Sequence, residues 1–92
     1  MEKTRKMLRL LGKITAIEKM ERGKLCRLGE RPHYNLQSWE NGKNVVRYVP
    51  RGEIEEMAEA IKGYQLFREL CEKYADEVIK QTRLAWKKKK PK

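Results

Sequence analysis

The sequence predicts an α+β fold: a basic N-terminal helix, a small antiparallel sheet with an Asn-Gly hairpin, and a long C-terminal helix. Three patterns predict these elements. Apolar residues recur at steps of three and four near the start of the chain, two strand-like runs flank Asn41-Gly42, and a long helical stripe follows Pro50. Because 92 residues suffice for one small domain, we expect a single domain over residues 1–84 and a basic tail over residues 85–92.

The first helix is predicted over residues 3–20. Met7, Leu11 and Ile14 recur at helical spacing, and lysines and arginines fill positions between them. This arrangement is typical of an amphipathic helix with a basic outer face. Gly23 is suited to end the helix, because glycine readily adopts the left-handed conformation that follows many helix C-termini.

Three strands are predicted in the middle of the chain. Residues 24–28 form a short strand candidate, residues 29–32 are typical of a turn, and residues 34–39 and 44–49 are rich in aromatic and β-branched side chains. The dipeptide Asn41-Gly42 lies between the last two runs. Asparagine and glycine best tolerate the positive φ angles of a type I′ turn, so the sequence predicts a β-hairpin here.

The two-residue loop also determines the register of this hairpin. It pairs Trp39 with Asn44, Gln37 with Val46, and Asn35 with Tyr48. Because side chains alternate across a strand, the two faces of the hairpin differ. The predicted core side carries Leu36, Val45 and Val49, and the predicted outer side carries Gln37, Trp39, Val46 and Tyr48.

The second helix is predicted over residues 52–84. Pro50 ends the last strand because it has no N–H to donate to a ladder. The helical stripe that follows includes Tyr64, Phe67, Leu70, Tyr74 and Val78. A short first helix leaves part of this stripe uncovered. A homodimer through the helix at residues 54–79, or an adaptor that docks onto a larger complex, is therefore a second hypothesis for function.

Positive charge concentrates at both ends of the chain. The net charge is +10, distributed as +6 over residues 1–33, +1 over 34–50, −3 over 51–82 and +6 over 83–92. Such clusters repel themselves unless a polyanion or free solvent surrounds them. The segregation favours a surface that faces phosphate groups, although a charge run is often only a solvated face. The C-terminal lysines are expected to form a disordered, phosphate-attracted arm.

Candidate nucleic-acid-binding residues follow from this charge and from the hairpin. The rings of Trp39 and Tyr48 either stack on bases or pack against the long helix, and the sequence leaves both alternatives open. Arg47 or Arg31 is suited to reading guanine. The full set of candidates consists of these two rings and the basic residues of the termini, the first strand and the hairpin: Arg5, Lys6, Arg9, Lys24, Arg27, Arg31, Trp39, Lys43, Arg47, Tyr48, Lys87, Lys88, Lys89 and Lys90.

Other functional classes find little support in the sequence. There is no Gly-rich phosphate loop, metalloprotease motif or nucleophile elbow, so an enzyme is not expected. Cys26, Cys71 and His33 are too few ligands for a structural zinc site, and no cofactor is expected. Apolar runs are shorter than a membrane span, and the N-terminus lacks the pattern of a secretory signal. We therefore expect a cytoplasmic protein with reduced cysteines and no membrane partner.

One stretch of the sequence resembles a known family. Residues 34–50, YNLQSWENGKNVVRYVP, followed by a Glu-rich helix that reaches LFRELCEKY, resemble a group of small, uncharacterised prokaryotic proteins associated with mobile elements. The resemblance covers roughly residues 22–80. Members commonly carry a knuckle of several cysteines, of which this chain has only Cys26. The layout is also similar to the arm-type DNA-binding domains of tyrosine recombinases, an analogy of fold.

These observations together predict a non-enzymatic nucleic-acid-binding protein. Double-stranded DNA ranks ahead of RNA, with the basic termini contacting phosphates and the hairpin providing orientation. Two alternatives remain beside it. One is the helix-mediated dimer or adaptor, and the other is a ribonucleoprotein component that binds structured RNA.

Overall fold

The computed structural model describes residues 2–27 and 33–89. Its elements are helix α1 (Arg5–Thr15), strands β1 (Lys24–Arg27), β2 (Tyr34–Glu40) and β3 (Lys43–Val49), a short 3-10 helix (Arg51–Glu53) and helix α2 (Ile54–Lys89). This order confirms the predicted α+β class. Leu28, the predicted turn at 29–32, Arg31 and Lys90 lie outside the described residues.

The described residues group into two compact units. The helical unit consists of residues 2–17 and 66–89, and therefore contains α1 and the second part of α2. The sheet unit consists of residues 18–27 and 33–65, and contains the three strands and the first part of α2. The single domain expected over residues 1–84 stays a prediction.

Helix α1 begins at a capped N-terminus. The Thr4 hydroxyl accepts a hydrogen bond from the Met7 amide at 3.1 Å, which satisfies one of the free N–H groups of the first turn. Met7 and Leu10 are buried at 3% and 5% exposure, so the apolar face of the helix is the packed one. The basic residues of α1 are exposed, as its amphipathic pattern predicts.

The end of α1 differs from the prediction. The helix ends at Thr15 rather than near residue 20, with Ala16 as its C-cap. The residues that follow form contacts inside the sheet unit: the Glu21 amide donates to the Ala60 carbonyl at 2.9 Å, and Arg22 donates to the Tyr64 hydroxyl at 3.2 Å. These tertiary contacts, rather than the helical spacing of apolar residues, determine the conformation of the residues after Thr15.

The sheet is antiparallel with strand order β1-β2-β3. Its hairpin register confirms the prediction, with Trp39 opposite Asn44, Gln37 opposite Val46 and Asn35 opposite Tyr48. Asn41 and Gly42 have φ angles of 52° and 76°, as a type I′ turn requires. The predicted core side is also confirmed: Leu36 is 1% exposed, Val49 is 2% exposed, and Val45 is half-buried.

Gly23 lies immediately before β1 and does not end α1. Its φ angle is 116°, and a Cβ at this position would lie 2.5 Å from the Gln37 carbonyl oxygen and 3.0 Å from the Ser38 Cβ. The residue is therefore required for two reasons, a left-handed backbone and a close approach to β2. The prediction that Gly23 ends the first helix is therefore wrong, because its positive φ angle serves the entry to β1 instead.

Helix α2 is continuous over 36 residues and runs past the predicted end at residue 84 to Lys89. The expectation of a disordered arm is wrong for the backbone of Lys87, Lys88 and Lys89. Alanine, leucine and lysine are strong helix formers, and no glycine or proline interrupts residues 64–89. Within the described part of the chain, every helix is too short or too polar to cross a bilayer.

Candidate nucleic-acid interface

One face of the sheet presents aromatic and amide side chains to solvent. The register and the alternation of side chains place residues from all three strands on this outer sheet face. It is formed by Lys24, Cys26, Asn35, Gln37, Trp39, Asn44, Val46 and Tyr48.

The two rings of the outer sheet face are exposed. Trp39 is 71% exposed, Tyr48 is 59% exposed, and Val46 between them is 50% exposed. The alternative that both rings pack against the long helix is therefore not realised. Large apolar side chains at this level of exposure, clustered on one face, are typical of a binding surface.

Tyr48 has a neighbour at the end of the hairpin. Its hydroxyl lies 3.3 Å from Nδ1 of His33, and the two rings are 6.0 Å apart at an interplanar angle of 46°. The predicted candidates omitted His33, although extending the predicted register one residue beyond Tyr34 places it on the same side as Asn35 and Tyr48.

The outer sheet face contains no carboxylate among the described strand residues. Its polar groups are the amides of Asn35, Gln37 and Asn44 together with the ammonium group of Lys24. Each amide has both hydrogen-bond donors and acceptors. The predicted candidates omitted these three amides. The predicted register nevertheless places them on the same face as Trp39, because Asn35 and Gln37 alternate with it along β2 and Asn44 is opposite it on β3.

The arginine expected to read bases lies on the opposite face of the hairpin. Arg47 shares the side of Leu36 and Val49, and one of its guanidinium nitrogens lies 3.3 Å from a carboxylate oxygen of Glu21. Arg27, from β1, has the same parity as Tyr34 and also lies on that side. The structure therefore separates Arg27 and Arg47 from the Trp39 and Tyr48 rings.

Lys43 lies at the hairpin turn, opposite Glu40 in the register. It is exposed, whereas Glu40 is half-buried and accepts a hydrogen bond from the Ser38 hydroxyl. Lys43 therefore lies at the tip of the hairpin, as predicted. The alternation of side chains along β3 assigns it to the core side of the hairpin and not to the outer sheet face.

Of the net charge of +8 on the described residues, +7 belongs to the helical unit. Its described residues contain twelve Lys and Arg against five Asp and Glu, a net charge of +7, whereas the sheet unit contains eight against seven, a net charge of +1. The segment counts in the sequence did not show this division, because residues from both ends of the chain combine in one unit.

The basic side chains of the helical unit are accessible. Arg5 and Arg9 on α1, and Lys87 and Lys88 on α2, are exposed. Lys6 lies 3.8 Å from the buried carboxylate of Glu77, yet its side chain is 63% exposed. Arg83 is also exposed and belongs to the same unit, although the predicted candidates omitted it.

An open acidic groove lies in the sheet unit. It has a volume of about 380 Å³ and is lined by residues before β1 and at the start of α2: Glu18, Lys19, Met20, Glu21, Glu53, Glu56, Met57 and Ala60. Such a surface repels phosphate. In the described part of the chain, no cluster of His, Cys, Asp and Glu is arranged to hold a metal ion.

One ion pair bridges this groove. The Lys19 ammonium group lies 2.9 Å from a carboxylate oxygen of Glu56. The hydrogen bond to Lys19, and then its charge, lower the pKa of Glu56. The same bond and the charge of Glu56 raise the pKa of Lys19. Glu56 also lies in the first turn of α2, where a negative charge interacts favourably with the helix dipole.

Comparison of the chain with protein-family models, curated proteins and solved structures finds no match. The resemblance to the mobile-element-associated family stays a prediction. The case for function therefore comes from the two surfaces of the molecule, the basic helical unit and the outer sheet face.

Proposed function

We propose that this chain is a non-enzymatic nucleic-acid-binding protein that attaches to phosphate groups through its helical unit. The observation that supports this proposal is the charge division, +7 in the helical unit against +1 in the sheet unit. A merely soluble surface mixes both signs of charge, because clustered like charges destabilise a compact state. The same clustered positive charges are attracted to a polyanionic partner, which offsets their mutual repulsion.

The attachment is electrostatic and independent of base sequence. Exposed Lys and Arg side chains bind phosphate oxygens and release condensed counterions, so affinity falls steeply as salt concentration rises. The exposed side chains of Arg5, Arg9, Arg83, Lys87 and Lys88 are suited to this role. Phosphate contacts position a protein on the strand without specifying a sequence.

Neutralising substitutions in the two units test the proposal. The helical-unit variant combines Arg5→Gln and Lys87→Gln, and the matched control, which removes the same number of charges, combines Arg51→Gln and Lys62→Gln, which are exposed in the sheet unit. Fluorescence anisotropy with duplex DNA, single-stranded DNA and structured RNA at about 50 mM salt measures affinity. We expect at least a tenfold loss in the helical-unit variant and a much smaller change in the control.

The same panel ranks the nucleic acids. The sequence places double-stranded DNA ahead of RNA, and a preference for structured RNA in competition would instead favour a ribonucleoprotein component. If none of the three probes binds the unmodified protein in a salt-dependent way, the proposal is wrong.

A homodimer through α2 is the second candidate. We expected part of the predicted apolar stripe to be exposed, but it is largely covered. Leu70 is buried, and Tyr64, Phe67, Tyr74 and Val78 are half-buried. However, Ile79 and Trp86, which are seven residues apart and so lie on one side of the helix, are 43% and 67% exposed. Light scattering across protein concentration tests this candidate, and a monomeric mass at high concentration would exclude it.

A further inference from the structure

We infer that the outer sheet face binds unpaired bases of single-stranded nucleic acid, with Trp39 and Tyr48 as its stacking rings. This inference rests on the proposed function, because it names the form of nucleic acid that the protein takes. It concerns the sheet unit, whereas the phosphate attachment proposed above belongs to the helical unit.

The rings meet the first requirement of a stacking surface, which is accessibility on a rigid support. Trp39 and Tyr48 are 71% and 59% exposed, and both emerge from strands that pair over their whole length. A paired strand holds its side chains perpendicular to the sheet at a defined spacing. Exposed aromatic rings on a sheet are the means by which several RNA-binding folds hold splayed bases.

The stacking requirement of the rings selects the form of the ligand. Trp39 and Asn35 are four residues apart on β2, and Tyr48 faces Asn35, so the backbone positions that carry the rings are separated by about 13 Å along the strand direction. Each ring therefore stacks on a different base, and each of these bases needs a free face. In a duplex the bases follow one another at about 3.4 Å and are stacked on both faces, so an internal base pair offers no free face to either ring.

The surface between the rings is suited to the bases in between. Gln37 and Val46 form the cross-strand pair at that level, and Asn35 and Asn44 face the rings across the ladder. The apolar side chain contacts the flat face of a base, and the amides donate to and accept from its edges. The face and the edges of a base are accessible to these side chains only when the base is not paired with a complementary strand.

Charge favours a nucleic acid over a basic protein partner on this face. Lys24 is its charged side chain, and no carboxylate occurs there among the described strand residues. Four of the seven described acidic residues of the sheet unit instead line the groove between the start of α2 and the segment before β1: Glu18, Glu21, Glu53 and Glu56. A strand that carries phosphates therefore meets attraction on the outer sheet face.

Duplex reading by the hairpin has less support. The arginine best placed in sequence to contact guanine, Arg47, lies on the opposite face and is paired with Glu21 at 3.3 Å. A ribbon that enters the major groove needs donors that reach base edges. The amides of the outer sheet face can contact adenine edges, but the exposed rings of Trp39 and Tyr48 beside them need free base faces, which a duplex does not offer.

Base stacking is measured directly through Trp39 fluorescence. The chain has two tryptophans, so Trp86→Phe leaves Trp39 as the sole reporter. This variant is titrated with a single-stranded oligonucleotide, with the same strand in a duplex, and with an abasic oligonucleotide of equal length. The abasic strand carries the phosphates but no bases, so it reports phosphate attachment alone. We expect quenching by the single strand and none by the abasic strand or the duplex.

Substitution of the rings gives the second readout. Trp39→Ala and Tyr48→Ala are each expected to weaken single-strand binding roughly 5- to 100-fold and to leave abasic-strand affinity unchanged. Trp39→Phe retains a ring and should recover most of the loss. Trp86→Ala removes an exposed ring outside the sheet unit and serves as the matched control. Circular dichroism confirms that each variant folds, as the exposure of both rings predicts.

The outcomes separate this inference from the proposed function. If the intact and abasic single strands bind equally and Trp39 is not quenched, the stacking inference is wrong while phosphate attachment stands. If the duplex alone binds, the stacking inference is wrong and phosphate attachment again stands, whereas if neither single strand nor the duplex binds, the proposed function itself is wrong. If nucleic acids bind but Trp39 responds to none of them, the outer sheet face does not stack on bases, and the inference is likewise overturned.

Discussion

At the scale of single residues, Gly23 and Gly12 are predicted to respond oppositely to alanine. Gly23 has a φ of 116° and no room for a Cβ, whereas a Cβ at Gly12 would meet nothing within 4 Å. We expect Gly23→Ala to lower the free energy of unfolding by about 1–3 kcal/mol. Gly12→Ala should raise it by about 0.5–1 kcal/mol, because alanine is the better helix former. Urea denaturation measures both, and equal effects would contradict the structure.

The Lys19–Glu56 ion pair predicts a dependence on pH. Because Lys19 lowers the pKa of Glu56 below its ordinary value of 4.5, the pair contributes stability above that value and loses it as pH falls through the lower, folded-state pKa. Lys19→Gln should raise the pKa of Glu56 towards 4.5. Carboxyl carbon shifts followed by NMR across pH measure this change. An unchanged pKa of Glu56 in the variant would show that the ion pair does not form.

At the scale of elements, the hairpin turn is predicted to depend on Asn41. This residue has a φ of 52°, which asparagine and glycine adopt at little cost and other residues adopt at about 1–2 kcal/mol. Asn41→Ala should therefore lower the free energy of unfolding by about 1 kcal/mol, whereas Asn41→Gly should change it little. Thermal and urea unfolding compare the two variants. Equal stability of Asn41→Ala and the unmodified chain would contradict the type I′ turn.

The N-terminal cap of α1 is predicted to affect both the stability of this helix and nucleic-acid binding. Thr4→Ala removes the hydroxyl that accepts from the Met7 amide, and such losses cost about 1 kcal/mol. The fraying of the first turn, which carries Arg5 and Lys6, should weaken nucleic-acid binding as well as helix stability. Thr4→Ser keeps the acceptor and serves as the control. Amide hydrogen exchange in α1 measures the effect, and unaltered protection in Thr4→Ala would refute it.

Local chemistry made the hairpin predictable, and tertiary contacts made the helix ends unpredictable. Asn41-Gly42 determines its own turn, and with it the register and the two faces of the hairpin. The end of α1 depends instead on contacts of Glu21 and Arg22 with residues far along the chain. No short-range pattern in the sequence contains that information.

At the scale of the whole molecule, the candidate site was predictable in composition but not in arrangement. Net charge follows from the sequence, and the register places both rings on one face, but the sequence leaves open whether they pack or stay exposed. The pairing of Arg47 with Glu21, and the division of charge between the two units, require knowledge of which distant segments pack together. The basic residues at the two ends of the chain are far apart in sequence, and only folding collects them in the helical unit.

The salt dependence of binding to a single-stranded oligonucleotide tests the central claim most directly. The logarithm of the association constant should fall linearly with the logarithm of salt concentration, with a slope of about −0.7 for each phosphate contact. We expect a clearly negative slope for the unmodified protein. We also expect a shallower slope for the helical-unit variant and an unchanged one for the Arg51→Gln, Lys62→Gln control. A slope near zero, or one that the helical-unit substitutions leave unchanged, would contradict it.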